Sequence, residues 1–238
     1  MPHPPIWPSD CYNKPQEDQR VCSDWQGAPA PERKRLEGTF TALVPLDAAQ
    51  HTQTLFEAAT APGAEARFRY LFDEVPANPA AQHAWTEKAA AGQDPLFFAV
   101  IDKVTGRAEG RQALMRTSTA HGVTEIGSIL WGPAIARTRV ATEALFLMAD
   151  YVFALGYRRL EWKCDNANEP SKRAAERFGF RFEGLFRQHM VVKGHNRDTA
   201  WFAITDQEWP CLRAGYKRWL AADNFGADGQ QHSRLSFV

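Results

Sequence analysis

Apolar residues recur three or four apart at Val140, Ala144, Leu147, Met148, Tyr151 and Leu155, which predicts a helix from about Thr138 to Gly156 with one face buried. Gly156 supplies the left-handed residue that ends it. Upstream, an apolar run closes at Trp131 and meets a Gly132-Pro133 break. Downstream, alternation over Arg159 to Cys164 places Leu160, Trp162 and Cys164 on one side of a strand, and a second helix runs from about Pro170 to Phe178, closing at Gly179. The stretch from Glu125 to Phe180 therefore reads strand, helix, strand, helix, and the rest of the chain is arranged around it.

The same pattern organises the flanks. Alternation from Gly38 to Val44 marks a first strand, and Pro45-Leu46-Asp47 caps the helix that follows. From Ala64 to Gly92 the periodicity is helical but interrupted. Phe68, Leu71 and Phe72 fall on one side, Val75-Pro76 breaks the run, and Pro79 starts a helix to Ala91 anchored by Trp85. Pro95 to Asp102 is a strand ending in the hairpin signal Lys103-Val104-Thr105-Gly106, Ala108 to Arg116 is its partner, and Thr124 to Trp131 is the fourth strand. Phe182 to Val192 and Asp198 to Ile204, turned at Gly194-His195-Asn196, form a closing hairpin. A helix start at Asp206 to Trp209 leads into an aromatic tail, Trp219, Leu220 and Phe225, that packs on the domain or covers a second subunit. The chain divides into a proline-rich arm (1–35), a globular domain (36–210) and this tail (211–238). Trp7, Tyr12 and Trp25 predict that the arm packs across the domain; the alternative is a loose tail.

Charge and cysteine usage narrow the possible partners. Lysine plus arginine number 28 and aspartate plus glutamate 28, so no global field draws in nucleic acid or a membrane surface. Cys11, Cys22, Cys164 and Cys211 are scattered without a C-x-x-C pair and read as reduced thiols rather than a metal site or a disulfide frame. MPHPPIWPSD has no basic segment followed by an apolar core, and no stretch reaches the length of a bilayer span. The expected location is the cytoplasm.

A strand that runs into a helix leaves the first helical amides, here those of Arg137 to Ala141, aimed at solvent with the dipole behind them. Arg137 and Arg139 stand in that same turn, where they oppose the dipole unless an anion is also present; the alternative is a pair of solvated surface arginines.

The order Glu125-Ile126-Gly127, then Arg137-Thr138-Arg139-Val140-Ala141-Thr142-Glu143-Ala144, then Asn168-x-x-Ser171 and Gly179-Phe180, resembles the GNAT superfamily of acetyl-CoA-dependent N-acetyltransferases. Within it the pattern is most similar to the RimJ/RimL type, whose founding members acetylate the N-termini of ribosomal proteins. The resemblance covers roughly Leu36 to Pro210. It implies an α+β fold, an α/β/α sandwich with a mixed, mostly antiparallel seven-stranded sheet splayed between its fourth and fifth strands. It implies acetyl-CoA as co-substrate, no metal, and direct transfer to a primary amine. The acceptor would be a protein N-terminus or a small molecule, and the assembly a monomer or homodimer.

The resemblance also distributes roles. Backbone amides of Ser128, Ile129 and Leu130 would hold pantetheine and polarise the thioester. Arg137, Thr138, Arg139, Val140, Ala141 and Thr142 would cradle the pyrophosphate. Asn168 would bond the pantetheine arm, or make an Asx turn. Glu125 would be the general base, or a glutamate facing water; Ser171 would protonate the thiolate, or be a first-turn serine. His189 and His195 lie near the acceptor side and read equally as packed or solvated.

Two departures matter. The usual loop is Gln or Arg, two residues, Gly, one residue, then Gly or Ala; here Ala136 takes the first place and Arg139 the glycine place. A tyrosine common four residues before the Gly-Phe pair is replaced by Ala175. Cys164 has no histidine at a supporting spacing, so a covalent cysteine route is not expected. The altered loop leaves a second reading open, a CoA-binding regulatory protein without turnover.

Overall fold

A computed structural model describes residues 22–237; Trp7, Cys11 and Tyr12 lie outside the described residues. The elements in chain order are β1 (Leu36–Glu37), β2 (Thr41–Pro45), α1 (Ala48–Thr60), α2 (Ala64–Phe68), α3 (Pro79–Ala91), β3 (Leu96–Asp102), β4 (Ala108–Ser118), β5 (Val123–Trp131), α4 (Arg139–Ala154), β6 (Arg159–Asp165), α5 (Glu169–Arg177), β7 (Arg181–Val192), β8 (His195–Thr205) and α6 (Trp209–Trp219). The described strands form one eight-stranded sheet in the order β1-β2-β3-β4-β5-β6-β8-β7. The strand beyond the expected seven is β1, a two-residue edge piece paired with Leu43 and Ala42.

Helices cover both faces, as the alternation on β3 requires. Phe98 and Val100 point into the main core with Ala144, Leu145, Met148 and Val152 of α4. Phe97 and Ala99 point the other way, to Leu55 of α1 and Ala89 of α3. The side chains of Asp47 and Asn78 cap α1 and α3 by accepting the amides of Gln50 and Ala81. Tyr216 and Trp219 of α6, followed by Phe237, join the main core, so the aromatic tail packs on its own domain. The described part of the arm also lies on the domain: Trp25 Nε1 donates to the Ala120 carbonyl at 2.7 Å and the Glu32 amide to the Tyr151 hydroxyl at 2.7 Å.

Two local expectations are corrected. The last hairpin turns at Lys193-Gly194, with φ of 50° and 77°, and His195 already belongs to β8. Two consecutive left-handed residues match the twist of the flanking strands, so the turn tightens to two residues. Phe72 does not share the buried side of Phe68; it is 51 % exposed, because α2 ends at Phe68 and a turn and bend over 69–73 carry the chain away before a further helical turn is made.

The sheet is antiparallel except between β5 and β6, which run parallel and pair only at Val123–Arg159, Thr124–Leu160 and Glu125–Glu161. Beyond Glu125 the two strands part. Between Arg111 and Ala113 the β4–β5 register also shifts, and Ser128 takes a left-handed φ of 49°, so a bulge bends β5 away at the place where it leaves β6.

Candidate active site

The parted strands open a cleft of about 520 Å³ that reaches from Ala136 and Arg137 at the start of α4 to Glu125 and Arg197 on the far side of the sheet. Glu125 stands at the last parallel pair and is 3 % exposed, so it does not face water. Its Oε2 lies 3.0 Å from Arg116 Nε and 3.1 Å from Lys163 Nζ, yet neither approach has hydrogen-bond geometry. Burial pushes the carboxyl above the ordinary carboxylate range, and Lys163 and Arg116 pull against it. Lys163 is itself buried, 2.7 Å from Glu161 and 3.7 Å from the centroid of Trp201. Lys163, Arg116 and Arg197 belong to no motif in the sequence, and only the fold brings them to the site. A signal was present for Lys163: strand alternation that sends Leu160, Trp162 and Cys164 inward sends Glu161, Lys163 and Asp165 to the face that carries Glu125.

Of the three residues expected to offer free amides, Ser128 and Ile129 fall in the bulge, outside the β4 register, while Leu130 is back in register opposite Arg111. Arg111 steadies this bend. It is 3 % exposed, donates through Nη1 to the Ser128 carbonyl at 3.1 Å, ion-pairs with Asp73 at 2.5 Å and stacks 4.0 Å over Trp85.

At the start of α4, Thr138 is the N-cap: its Oγ1 accepts the Val140 amide at 3.2 Å and donates to the Ile135 carbonyl at 2.7 Å. The first intrahelical bond runs from the Thr142 amide to the Thr138 carbonyl at 3.3 Å, which leaves the amides of Arg139 and Ala141 without a helical acceptor. Val140, Ala141 and Thr142 are buried, so they offer backbone rather than side chain. The two arginines separate. Arg137, at a left-handed φ of 64°, lines the cleft; Arg139 does not, and its guanidinium sits 4.3 Å over Phe40 and 5.3 Å over Phe225.

On the other wall, Asn168 Oδ1 accepts the Ser171 amide at 3.2 Å, three residues on, so the side chain caps α5 as its N-cap. Ser171 Oγ accepts Trp162 Nε1–H at 3.0 Å, which leaves the serine's own hydrogen to donate. Cys164 lines the same wall, and burial pushes its thiol up. His189 shares a hydrogen bond with Thr199 Oγ1 at 2.9 Å, the packed reading, and His195 is exposed. Among the described residues no group of three His, Cys, Asp or Glu is placed to hold a metal, and no helix is long and apolar enough to cross a membrane.

This geometry agrees with comparisons to other proteins. Residues 41–181, more than half of the chain, match the family described as "Acetyltransferase (GNAT) domain". The chain superposes on a crystal structure of a GCN5-related N-acetyltransferase from Brucella melitensis with a TM-score of 0.88 and 57 % identity, covering 90 % of this chain and 97 % of that one. A GNAT-family structure from Chromobacterium violaceum is 36 % identical with a TM-score of 0.75, over 87 % of this chain and all 100 % of that one. An uncharacterised N-acetyltransferase, p20, from Bacillus licheniformis is 30 % identical over 117 residues, 47 % of this chain, and the match spans 63 % of that curated relative's length. The chain belongs to the GNAT acetyltransferase family, and its sheet, splayed between β5 and β6, is the GNAT fold.

Proposed function

We propose that the protein moves an acetyl group from acetyl-CoA directly to a primary amine, with Glu125 as general base. The observation that carries this reading is a buried carboxylate, held above its ordinary pKa, at the point where β5 and β6 part and in the same cleft as the N-terminus of α4. A base for an ammonium works best when its pKa approaches the working pH, and burial moves Glu125 in that direction. The cofactor supplies an activated acetyl thioester.

The residues present fit acetyl-CoA. Arg139, the departure from the glycine pattern, is folded onto Phe40 and Phe225, so its side chain does not fill the approach to the α4 amides. The backbone of Arg137 to Thr142, with the Arg137 side chain, would take the pyrophosphate. Ser128 and Ile129 at the bulge would take the pantetheine and polarise the carbonyl, with Leu130 and Asn168 lining the same channel. Ser171, its hydroxyl oxygen occupied by Trp162, would donate its hydrogen to the departing thiolate. Cys164 takes no covalent part, since its thiol is held protonated and direct transfer needs no nucleophile from the protein.

Within the family we assign the chain to the RimJ/RimL type on Glu125, Asn168-x-x-Ser171 and Ala175 in the tyrosine's place. The acceptor is then a peptide N-terminus or a small-molecule amine, met in the cytoplasm. A regulatory CoA-binding role rests on Arg139 at the glycine place, and the position of that side chain favours turnover instead.

Calorimetric titration with acetyl-CoA, followed by thiol release against amines and N-terminal peptides, tests the reading. Glu125→Gln should leave acetyl-CoA affinity near wild type and lower turnover by roughly 10²- to 10⁴-fold. The base must be ionised, so kcat/KM should fall as pH drops through the raised Glu125 pKa, with the acid limb above an ordinary glutamate's value of about 4.3. Full turnover by the glutamine variant at neutral pH would remove Glu125 from the mechanism.

A further inference from the structure

Arg197 has no place in that chemistry, although it lines the cleft and is 6 % exposed. Its Nε donates to Thr199 Oγ1 at 3.1 Å, which folds the side chain back along β8 toward the cleft and leaves the two terminal nitrogens beyond that bond. Among the described residues no ion pair is formed by its guanidinium, in contrast to those of Arg111, Arg159 and Arg213. Asp165, the acid that bears on it most, directs Oδ1 to the Ala167 amide at 2.8 Å. The other buried cations of the site are matched: Lys163 by Glu125 and Glu161, Arg111 by Asp73. A guanidinium so largely buried, with no counter-ion in direct contact and its terminal nitrogens left to the cleft, is unfavourable by itself and is offset where a ligand supplies the anion.

The sheet register says which ligand this is. Glu125 pairs with Glu161, Lys163 with Trp201 and Asp165 with Thr199, and paired residues share a face. Arg197, two residues from Thr199 on β8, therefore stands on the face of Glu125 and Lys163. Trp162 and Cys164, the neighbours of Ser171, alternate onto the other face with α4 and α5, and Arg137 lies at the distant end of the cleft. Arg197 is thus on the amine's side of the base. Half-exposed Phe72 lies 5.4 Å from its guanidinium and adds an apolar wall.

We infer that Arg197 is the recognition site for a carboxylate on the acceptor, so that the substrate is an amine bearing an acid group: a free amino acid, or a peptide with an acidic residue near its N-terminus. The inference rests on the acetyltransferase reading for its substrate, and its test separates the two. A panel of L-amino acids and their α-carboxamides, and of short peptides with Glu or Gln at the second position, is assayed twice. Thiol release from acetyl-CoA reads transfer, and calorimetry on the CoA-saturated protein reads acceptor binding without transfer.

For at least one pair the acid should be preferred over its amide by roughly 30-fold or more, the scale of a desolvated bidentate contact to an ion. In Arg197→Gln that preference should fall to about one while acetyl-CoA affinity holds, and Arg197→Lys should keep only part of it, since an ammonium lacks the guanidinium fork. Preference among free amino acids or among peptides names the source of the carboxylate. Carboxylate-dependent binding without thiol release would refute the transferase and uphold the arginine's role. Acids and amides treated alike, no preferential binding of any acid, or a preference that survives Arg197→Gln would overturn the inference.

Discussion

Replacing Glu143 by alanine would remove the clamp that ties α4 to the turn between β1 and β2. The carboxylate is 3 % exposed and accepts three backbone amides, Thr39 on Oε1 at 2.7 Å, and Phe40 and Thr41 on Oε2 at 2.6 and 2.7 Å. Nothing larger than glycine fits beneath it, since a Cβ on Gly38 would fall 2.4 Å from the carboxylate carbon. The three amides do not weigh equally. The bond to Thr41 is buried, and stranding that donor costs about 1–3 kcal/mol; the other two are half-buried and regain water, at about 0.5–1 kcal/mol each. The sum, about 2–5 kcal/mol, is a large share of the 5–15 kcal/mol or so that holds a typical domain. Urea unfolding followed by tryptophan fluorescence should show a lower midpoint at unchanged slope, because the surface exposed on unfolding is almost the same. Glu143→Gln should lose about half as much, keeping one oxygen while turning an amide donor toward a backbone donor. A loss below about 1 kcal/mol for alanine would mean that the turn is held by its strand pairing and not by the carboxylate.

Two further outcomes follow from the site. Arg139→Gly restores the common loop residue, yet acetyl-CoA affinity should change less than about threefold, because the guanidinium packs on Phe40 and Phe225; stability should drop by about 1–2 kcal/mol from the lost ring contact and a glycine in the first helical turn, so tighter binding would show that the arginine obstructs the phosphates. Cys164 should alkylate slowly at pH 7, accelerate only above the ordinary thiol range because burial raises its pKa, and be shielded by acetyl-CoA because it lines the cleft; fast labelling at neutral pH, or labelling indifferent to acetyl-CoA, would contradict that placement.

What the sequence determined by itself is local. Helical spacing from Val140 to Leu155, with a start near Thr138 and a stop at Gly156, defines α4 nearly as it stands at Arg139–Ala154, because a buried face and a left-handed stop are written within one segment. Alternation on β6 divides Leu160, Trp162 and Cys164 from Glu161 and Lys163 for the same reason. Motif order placed Glu125, Asn168 and Ser171, and all three do line one cleft.

Tertiary structure decided the rest. Arg137 and Arg139 share one turn, and only the presence of Phe40, about a hundred residues upstream, and Phe225 shows that the second leaves the cleft. Ser128 at φ 49° carries no local signature of a bulge; the bend falls where pairing with β6 has ended and the register with β4 shifts. Glu125 reads as an edge glutamate or a base until Arg116, Lys163 and the covering elements set its burial and its neighbours. Desolvation and Coulomb attraction are sums over groups brought together by four different strands, and no periodicity along the chain records them.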